Sequence, residues 1–364
     1  MIELRTLEPA DLERVAAVFD AMFGSGRGRP RPGIVDFFSR TLFENPWADP
    51  ELPSFVAEDD GGRIVGFITV GPRRMLLGRR PVRIAVCGNL AVLPECRKQM
   101  LGVRLQQRVL QGPQDATISD TASEIVRRVW LRLGGSTLPV SSLHWVRVFA
   151  PWGAALELVG RRVTRPGARR LATAAAAGLD RATPAAVLSR LEPPKPESGE
   201  VEPLDARSLL GALPHVTGRM ALRPEYDEAY LRFLFDELAR VPPARGRLVA
   251  GLVWRTGSRV AGWYAYHLRP GSRGEVLAVV AANDADTGLV LDHLIEHAHR
   301  HGTVALRGRL EPRLVEPIAR RRCVTWYGWP ALLHTADDEL ARAVLSGDAL
   351  LTRLEGEWSG EQLG

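Results

Sequence analysis

An internal repeat constrains the fold of this chain more than any other feature of its sequence. Arg63-Ile64-Val65-Gly66-Phe67 in the first half matches Arg259-Val260-Ala261-Gly262-Trp263 in the second, and Leu90-Ala91-Val92 matches Leu277-Ala278-Val279. The elements expected around these segments follow one another in the same order, and self-similarity on this scale indicates a duplicated structural unit. The sequence therefore predicts two similar domains in tandem, in a chain of 364 residues that is long enough for both.

Hydrophobic periodicity predicts a similar succession of elements in each half. Apolar residues three and four positions apart predict helices, and short runs rich in β-branched residues predict strands. In the first half we expect strands at residues 2–7, 54–58, 63–70, 82–93, 116–119 and 143–149, with helices at 12–23, 34–43, 101–110 and 123–133. In the second half we expect strands at residues 200–204, 247–254, 259–267, 275–281 and 303–309, with helices at 206–213, 225–240, 286–301 and 312–321. The strand at residues 143–149 is expected to close the first unit.

A segment of different composition separates the two units. Residues 160–199 are rich in Ala, Arg and Pro, which predicts a linker with one or two short helices. Its apolar residues are expected to pack along both halves: Leu171, Leu179, Val187 and Leu191. Near the end of the chain, four residues with helical spacing predict a second bridging segment: Leu350, Leu351, Leu354 and Trp358. The expected division is a domain at residues 1–160, a linker at 161–199 and a second domain at 200–364.

Charge and cysteine usage exclude several classes of protein. The formal net charge is +6, and only Lys98 and Lys195 are lysines, so arginine supplies nearly all of the positive charge. No nucleic-acid-binding motif accompanies the arginines, so nucleic acid is not an expected partner. Cys87, Cys96 and Cys323 are too scattered for a disulfide framework or a thiolate metal site. No apolar run approaches about 18 residues and no leader sequence is visible, so we expect a cytoplasmic protein without a membrane partner.

The segment at residues 89–104 carries the most chemical information. An apolar strand runs into Pro94, a basic loop with Arg97 and Lys98 follows, and Gly102 stands where a helix begins. Backbone N–H groups at a helix start lack intrahelical partners and carry partial positive charge, so such a loop can hold a phosphate or pyrophosphate. Residues of the same kind also form ordinary solvated loops between a strand and a helix. The loop alone therefore leaves both interpretations open.

In its predicted order of strands and helices, this segment resembles motif A of the GNAT N-acetyltransferase superfamily. That motif is a Leu-x-Val-x-Pro strand end followed by Gln/Arg-x-x-Gly-x-Gly/Ala, and here Leu90-Ala91-Val92-Leu93-Pro94 precedes Gln99-Met100-Leu101-Gly102-Val103-Arg104. The resemblance implies two tandem GNAT-like acyl-CoA N-acyltransferase folds of the α+β class, each a mixed central sheet flanked by helices. It implies transfer of an acyl group from acetyl-CoA or another acyl-CoA to an amine of a small molecule or sugar. The cofactor-binding residues that it implies are Leu90, Val92, Arg97, Lys98, Gln99, Met100, Leu101, Gly102, Val103 and Arg104.

Two positions differ from the pattern of that family. The last residue of the motif, Gly or Ala in relatives, is Arg104, whose side chain could crowd the pyrophosphate or add a charge to it. Where many relatives read Tyr-x-x-x-Gly-Phe, this chain reads Trp130-Leu131-Arg132-Leu133-Gly134-Gly135. An indole thus replaces the tyrosine that usually protonates the departing thiolate, and an indole is no acid at neutral pH. Transfer would then depend on positioning, on the attacking amine and on water.

Three residues are candidates for the catalytic chemistry of the first half. Asp120 ends a strand and His144 lies on the strand expected to close the unit, so either could face the cleft as a general base. Asn89 could orient the acyl carbonyl. Each also has a structural interpretation: a helix-capping aspartate, a half-buried strand histidine and a polar residue at a strand end. Tyr226 and Tyr230 of the second half either pack in the core or border a cleft between the halves.

The second half lacks the basic loop. Its equivalent segment, residues 281–288, places Asp284 and Asp286 where phosphates would dock, so we expect it not to bind coenzyme A. His293-Leu294-Ile295-Glu296-His297 puts two histidines on one helical face, as in one class of zinc peptidases. No third ligand is evident, so we expect no metal site.

The sequence thus favours an acyltransferase and leaves alternatives from other classes. A catalytically degenerate GNAT-like fold could serve as a ligand sensor or scaffold, which the missing tyrosine favours. An arginine-rich surface could bind nucleic acid, with a steep dependence on salt. A thioester-linked acyl carrier could also replace coenzyme A as the donor. The acceptor, the acyl chain length and the oligomeric state are not determined by the sequence.

Overall fold

Two mixed β-sheets flanked by helices make up the protein. This computed structural model describes residues 2–24, 33–159, 166–184, 187, 189, 191–242, 245–257 and 259–357. The strands are β1 (Ile2–Thr6), β2 (Phe55–Asp59), β3 (Ile64–Leu77), β4 (Arg80–Val92), β5 (Ala116–Ser119), β6 (Ser136–Thr137), β7 (Leu143–Val148), β8 (Glu200–Pro203), β9 (Leu222–Pro224), β10 (Arg247–Arg255), β11 (Arg259–Leu268), β12 (Arg273–Ala281), β13 (Ala305–Arg309), β14 (Val324–Tyr327) and β15 (Leu332–Thr335). The helices are α1 (Leu12–Phe23), α2 (Ile34–Leu42), α3 (Leu101–Leu110), α4 (Glu124–Arg132), α5 (Pro151–Val159), α6 (Pro166–Ala182), α7 (Ala206–Thr217), α8 (Glu228–Ala239), α9 (Asp284–Arg300), α10 (Val315–Ala319) and α11 (Asp338–Ser346).

The first sheet draws strands from both halves of the chain. Its order is β1-β2-β3-β4-β5-β15-β6, with β9 also paired to β3. β1 to β4 form an antiparallel meander, and α3 then crosses over so that β5 lies parallel to β4. On the far side of β5, the antiparallel neighbour is β15, which comes from the other end of the chain.

The second sheet repeats this plan and also contains a strand from the other half. Its order is β14-β7-β13-β12-β11-β10-β8. β8, β10, β11 and β12 correspond to β1 to β4, and α9 crosses from β12 to a parallel β13 as α3 crosses from β4 to β5. β7 of the first half is inserted between β13 and β14. The tandem α+β arrangement predicted from the sequence is therefore confirmed.

The exchange of β7 and β15 corrects one expectation. The segment expected at residues 143–149 is a strand, but it pairs with β13 and β14 instead of closing the first sheet. Its place beside β5 is taken by β15. Periodicity identifies a strand but not its partner, because pairing is decided by contacts between residues far apart in the chain. The division at residues 160 and 199 remains a proposal about sequence units, since each sheet contains strands from both.

Aromatic packing joins the two halves into a continuous core. Phe38 lies between Phe19 and Phe67 in edge-to-face contacts with ring centroids 5.7 and 6.1 Å apart. Trp47 stacks on Tyr230 of the second half at 3.5 Å, and both side chains are fully buried. Of the two interpretations of this tyrosine, the core position is the one observed.

The linker does not pack as its composition predicts. α6 (Pro166–Ala182) is longer than the short helices expected, and Leu171, Leu179 and Val187 are exposed. These three side chains therefore do not bridge the halves, because α5 and α6 pack mainly on each other and most of residues 171–182 face solvent. No helix among the described residues is long and apolar enough to cross a membrane.

Residues 350–357 are largely buried, but they are not a helix. Residues 350–357 form turns, with Leu350 and Leu354 buried in the core as their apolar character predicts. The helix after β15 is instead α11, and Gly347 ends it in the left-handed conformation. Trp358, the last residue of the predicted apolar row, lies outside the described residues.

Candidate active site

β4 separates from β5 midway along its length. The two strands pair only over residues 84–86, whereas β4 continues to Val92. Asn89 takes the left-handed conformation (φ 49°), and the register of β4 with β3 shifts at this point. Such a bulge adds a residue to one strand and bends it. A cleft therefore opens between residues 87–92 and the chain at the end of β5, and is called here the β4–β5 cleft.

The loop after β4 leads directly into the start of α3. Pro94–Gln99 form a 3-10 turn, and Met100 takes the left-handed conformation (φ 54°) before the helix begins at Leu101. Met100 gives no side-chain capping bond, and the first turn of α3 contains no acidic residue. The N–H groups of Leu101 and Gly102 therefore lack intrahelical partners, and no nearby acid of that turn opposes their partial positive charge.

Gly102 leaves room over this helix start. A Cβ atom there would lie 3.8 Å from Val92 Cγ2 and 3.9 Å from Leu90 Cδ2, which is ordinary contact. Packing in this structure therefore does not demand a glycine, and Gly102 is not among the residues with positive φ. Three of the predicted cofactor residues, Leu90, Val92 and Gly102, meet at one point, where a phosphate could approach the backbone closely.

The charged residues of the loop differ in their contacts. Arg97 and Lys98 are exposed, and an Arg97 nitrogen lies 3.9 Å from Met22 Sδ of α1. Arg104 donates a hydrogen bond to the backbone carbonyl of Ile2 on β1 at 3.1 Å. The guanidinium that could have crowded the loop is thus held at the neighbouring edge strand.

The C-terminal tail, defined here as residues 350–357, reaches into the β4–β5 cleft. Arg73, buried on β3, donates from Nε to the Glu355 carbonyl at 3.0 Å and from Nη2 to the Gly356 carbonyl at 3.1 Å. The hydroxyl of Tyr226, just before α8, donates to the Glu355 carboxylate. Residues of both halves therefore fix the path of the tail.

Glu357 occupies the point where β4 and β5 part. Its carboxylate accepts hydrogen bonds from the Ser119 hydroxyl at 2.6 Å, the Asp120 N–H at 3.1 Å and the Thr121 hydroxyl. Its own N–H donates to Asp120 Oδ1 at 2.9 Å. A Cβ atom at Gly88 would lie 2.9 Å from Glu357 Oε2, so the absence of a side chain on β4 makes room for this carboxylate.

Two buried acidic side chains thus lie together in the cleft. Burial, and after it the charge of Asp120, raises the pKa of Glu357 to about 7 from the ordinary 4.5, although the hydrogen bonds of Ser119 and Thr121 act in the opposite direction. Asp120 forms a buried ion pair with Arg309 of β13. A carboxyl group whose pKa lies near neutrality can take up and release a proton at physiological pH.

The predicted residues Asp120 and Asn89 both lie at this cleft. Asn89 lines a cavity of about 50 Å³ together with Gly88 and Glu357. Its side-chain amide donates to the Thr69 hydroxyl at 3.2 Å. Asp120 is a buried partner of Glu357 and does not cap the N-terminus of α4, since the Ser123 hydroxyl accepts the capping bond there. Both remain candidates for roles in catalysis.

His144 lies on a strand of the second sheet, opposite Arg309 of β13, which forms the ion pair with Asp120. Its Nδ1 accepts a hydrogen bond from Arg307 Nη2 at 3.0 Å, and its ring packs against Trp326 of β14. Burial, and after it the charge of Arg307, lowers the pKa of His144 to about 3. A histidine that releases its proton so readily is a weak base, which argues against a role as general base; the role of His144 stays a prediction.

Trp130 lies in the core and not at the cleft surface. Its side chain is fully buried, and its Nε1 has no hydrogen-bond partner among the described residues. The N–H of Gly135 donates to the Trp130 carbonyl at 2.8 Å and closes the end of α4. An indole in this setting offers no acidic proton to a leaving group.

The corresponding junction in the second half is built differently. Only Ala282 and Asn283 separate β12 from α9. The Asn283 side chain accepts a hydrogen bond from the Asp286 N–H at 3.0 Å and caps the helix. Asp286 is fully buried and forms ion pairs with Arg255 and Arg259. A capping side chain and a carboxylate thus lie at this helix start, which argues against coenzyme A binding there. The absence of coenzyme A binding in the second half stays a prediction.

The two histidines of the His-x-x-Glu-His motif bind different partners. His293 Nε2 lies 3.0 Å from the Ser198 carbonyl oxygen, and His297 Nδ1 lies 2.7 Å from the Tyr266 hydroxyl. No group of three metal-ligating side chains occurs among the described residues.

The residues that complete the cleft were not identified from the sequence: Arg73, Ser119, Thr121, Arg309 and Glu357. They lie on four separate stretches of the chain, and none belongs to a recognisable motif. The one local signal is Glu355-Gly356-Glu357, two acids around a glycine at the end of a tail that contains three leucines. The pairing of β15 with β5 is what brings the end of the chain toward the first sheet.

The span that carries the loop also matches a known family. Residues 22–116, which contain β4, the 3-10 turn and α3, match the acetyltransferase (GNAT) family. No curated protein sequence matches the chain. This part of the first half is therefore similar to GNAT acetyltransferases, as its motif predicted.

Solved structures extend the likeness from this span to nearly the whole chain. A GCN5-related N-acetyltransferase from Anabaena variabilis has 11% identity and a TM-score of 0.56, with 93% of this chain and 74% of that chain covered. One from Kribbella flavida has 14% identity and a TM-score of 0.53, with 92% and 70% covered. The N-myristoyltransferase of Saccharomyces cerevisiae, solved with bound myristoyl-CoA, has 10% identity and a TM-score of 0.52, with 92% and 79% covered. The chain thus has the fold of GNAT N-acyltransferases.

Proposed function

We propose that this GNAT-fold protein transfers an acyl group from an acyl-CoA to an amine of a small molecule or sugar. The observation that carries the proposal is the open start of α3 beside a bulged β4, with a buried carboxylate where β4 and β5 part. The family match and the fold support acyl transfer in general. The acceptor and the acyl group belong to the proposal.

The donor would bind along β4 and the loop. The N–H groups of Leu101 and Gly102 would receive the pyrophosphate, while Arg97 and Lys98 add full positive charges nearby. Residues 87–92 offer a strand edge that β5 does not cover, on which the amides of the pantetheine arm can pair. The donor supplies the activated thioester, and the protein supplies its position.

Glu357 would act as the general base. A carboxylate with a raised pKa removes a proton from the amine more effectively than an ordinary one, because its conjugate acid is weaker. The amine nitrogen then forms a bond to the acyl carbon while the carbon–sulfur bond breaks. The thiolate leaves and takes a proton from solvent, since the indole of Trp130 cannot give one. Asp120, held by Arg309, keeps Glu357 in place and its pKa high.

Isothermal calorimetry with acetyl-CoA, followed by a thiol-release assay with a panel of amines, tests this proposal. We expect one specific binding event and release of free thiol with at least one amine. Binding without thiol release from any amine would favour the alternative of a ligand sensor, which the indole at position 130 supports. Absence of binding at low salt, together with tight and steeply salt-dependent DNA binding, would favour the nucleic-acid alternative.

A further inference from the structure

A cavity of about 670 Å³ lies in the second half, at the place where the first half has its coenzyme loop. It is bounded by α7, by the turn end of the β10–β11 hairpin and by the junction of β12 with α9. Ligand pockets in proteins are roughly 300–1,000 Å³ in size. The cavity is therefore large enough for a small organic molecule.

The short junction of the second half explains why this space is open. In the first half, residues 93–100 fill the equivalent region: Leu93 and Cys96 are buried in the core, and Arg97 touches α1. In the second half, two residues replace that segment, and α7 takes the position of α1. Nothing from the shortened junction fills the gap between α7 and the hairpin, so a recess remains.

Gly211 puts no side chain into the recess. It lies within α7 and lines the cavity, and a Cβ atom there would meet no atom within 4 Å. A larger side chain at position 211 would therefore extend into open space beside the cavity without displacing any neighbouring atom.

The walls of the cavity indicate the chemistry of a ligand. Leu252 and Val260 form a buried apolar floor. The indole of Trp254 stands at one side, and its Nε1 donates to Glu202 at 3.1 Å, which fixes the ring and satisfies part of that carboxylate. The Arg219 guanidinium is exposed at the rim. A flat apolar ring suits the indole and the floor, and an anionic group suits the arginine.

We propose that this cavity is a second ligand site, for a planar aromatic anion that stacks on Trp254 and pairs with Arg219. The site is separate from the β4–β5 cleft and does not depend on acyl transfer. It occupies the region that the duplicated unit no longer uses for a coenzyme loop.

Binding of 2-naphthoate to the full chain tests the site, with 2-naphthalenemethanol as the neutral analogue of the same shape. We expect calorimetry to show that the anion binds about tenfold more tightly than the alcohol, since a hydrogen bond to a charged group is worth that much or more. Gly211→Trp should fill the recess and weaken binding at least about tenfold, and Arg219→Gln should remove the preference for the anion. Gly178→Trp is the matched control, because Gly178 also lies in a helix, α6, with no atom within 4 Å of its Cβ position.

Unchanged affinity in Gly211→Trp would overturn the proposal, and so would equal affinity for the acid and the alcohol. Failure of the wild type to bind 2-naphthoate at millimolar concentration would also overturn it. If Gly211→Trp folds poorly, as circular dichroism would show, Arg219→Gln decides the question with a surface substitution that leaves the core unchanged. Acetyl-CoA affinity, measured in parallel, separates this outcome from any failure of the proposed acyl transfer.

Discussion

The two strand-to-helix junctions of this molecule occupy equivalent places in duplicated units and have opposite electrostatic character. After β4, a basic 3-10 turn leads to a helix with no capping side chain and with Gly102 in its first turn. After β12, Asn283 caps the helix at once, and Asp286 is buried between two arginines. The same backbone plan thus presents open N–H groups in one half and occupied ones in the other.

This difference shows what a duplicated fold keeps and what it loses. Sheet order and helix packing are shared, because they rest on many apolar contacts that tolerate substitution. Phosphate binding at a helix start rests on a few residues, and a cap together with a nearby carboxylate opposes it. The halves also depend on each other, since Glu357 at the end of the second half completes the cleft of the first.

The largest expected effect comes from separating the two halves. A fragment of residues 1–160 lacks β15 and the tail, so the buried side chains of β5 lose the neighbours that cover them. Burial of a large apolar side chain such as Ile118 contributes about 1.5–3 kcal/mol, so we expect aggregation or weak coenzyme A binding. Size-exclusion chromatography measures the aggregation of the fragment, and calorimetry measures its affinity for coenzyme A. A monomeric fragment with the full chain's coenzyme A affinity would show that the first half is self-sufficient.

Gly102→Asp should remove coenzyme A binding while the protein stays folded. A Cβ atom fits at this position, but the carboxylate would face the phosphates and oppose the partial charge of the helix start. We expect the dissociation constant to rise at least about 100-fold, with Gly102→Ala as the control for bulk alone. Unchanged affinity in the aspartate variant would place the coenzyme elsewhere.

Glu357→Gln should abolish most turnover and leave coenzyme A affinity nearly unchanged. General acid–base groups contribute on the order of 10²–10⁴ in rate, and the amide keeps the size of the side chain. The rate of the wild type should rise with pH through about 7, as Glu357 loses its proton. A wild-type rate that is flat across this range would indicate another base.

The same substitution should change how stability depends on pH. The pKa of Glu357 is raised in the folded protein, from 4.5 to about 7, so the stability that its protonated form supports is present below 4.5 and is lost as pH rises through about 7. Glu357→Gln should therefore gain stability relative to the wild type between about pH 5 and pH 8. Chemical denaturation at pH 5 and at pH 8 measures the free energy of unfolding of both proteins. The same difference between variant and wild type at the two pH values would argue against a buried, titrating Glu357.

The smallest expected effects come from Trp130 and from Asp284. Trp130→Phe should change turnover by less than about tenfold, because the indole supplies no proton. A larger loss in a protein of unchanged melting temperature would show that the indole positions the thioester.

Asp284→Asn removes an acid of the second junction but leaves its cap, so calorimetry should still show one bound coenzyme A. A second binding event would mean that the second half also binds the donor.

The sequence predicted the parts of this protein that depend on neighbouring residues. Strand and helix periods located most elements within a few residues, and the motif around Gly102 predicted a loop whose helix start is uncapped in the structure. The exposed Leu171 and the turns at residues 350–357 are errors of the same method, since apolar spacing does not reveal what a segment packs against. Local signals predict local conformation and fail where a distant partner decides.

The sequence by itself determined that this chain is a tandem α+β protein with one basic, glycine-containing helix start. Periodicity, turn residues and local charge depend only on residues that are close together in the chain. Only the tertiary structure decided that β7 and β15 exchange sheets, that Glu357 lies beside Asp120, and that a cavity replaces the loop in the second half. The strand exchange and the Glu357–Asp120 contact join residues more than 100 positions apart, and the cavity is bounded by α7, β10, β11 and the start of α9. Their geometry follows from how two complete sheets pack and exchange strands, which no local pattern encodes.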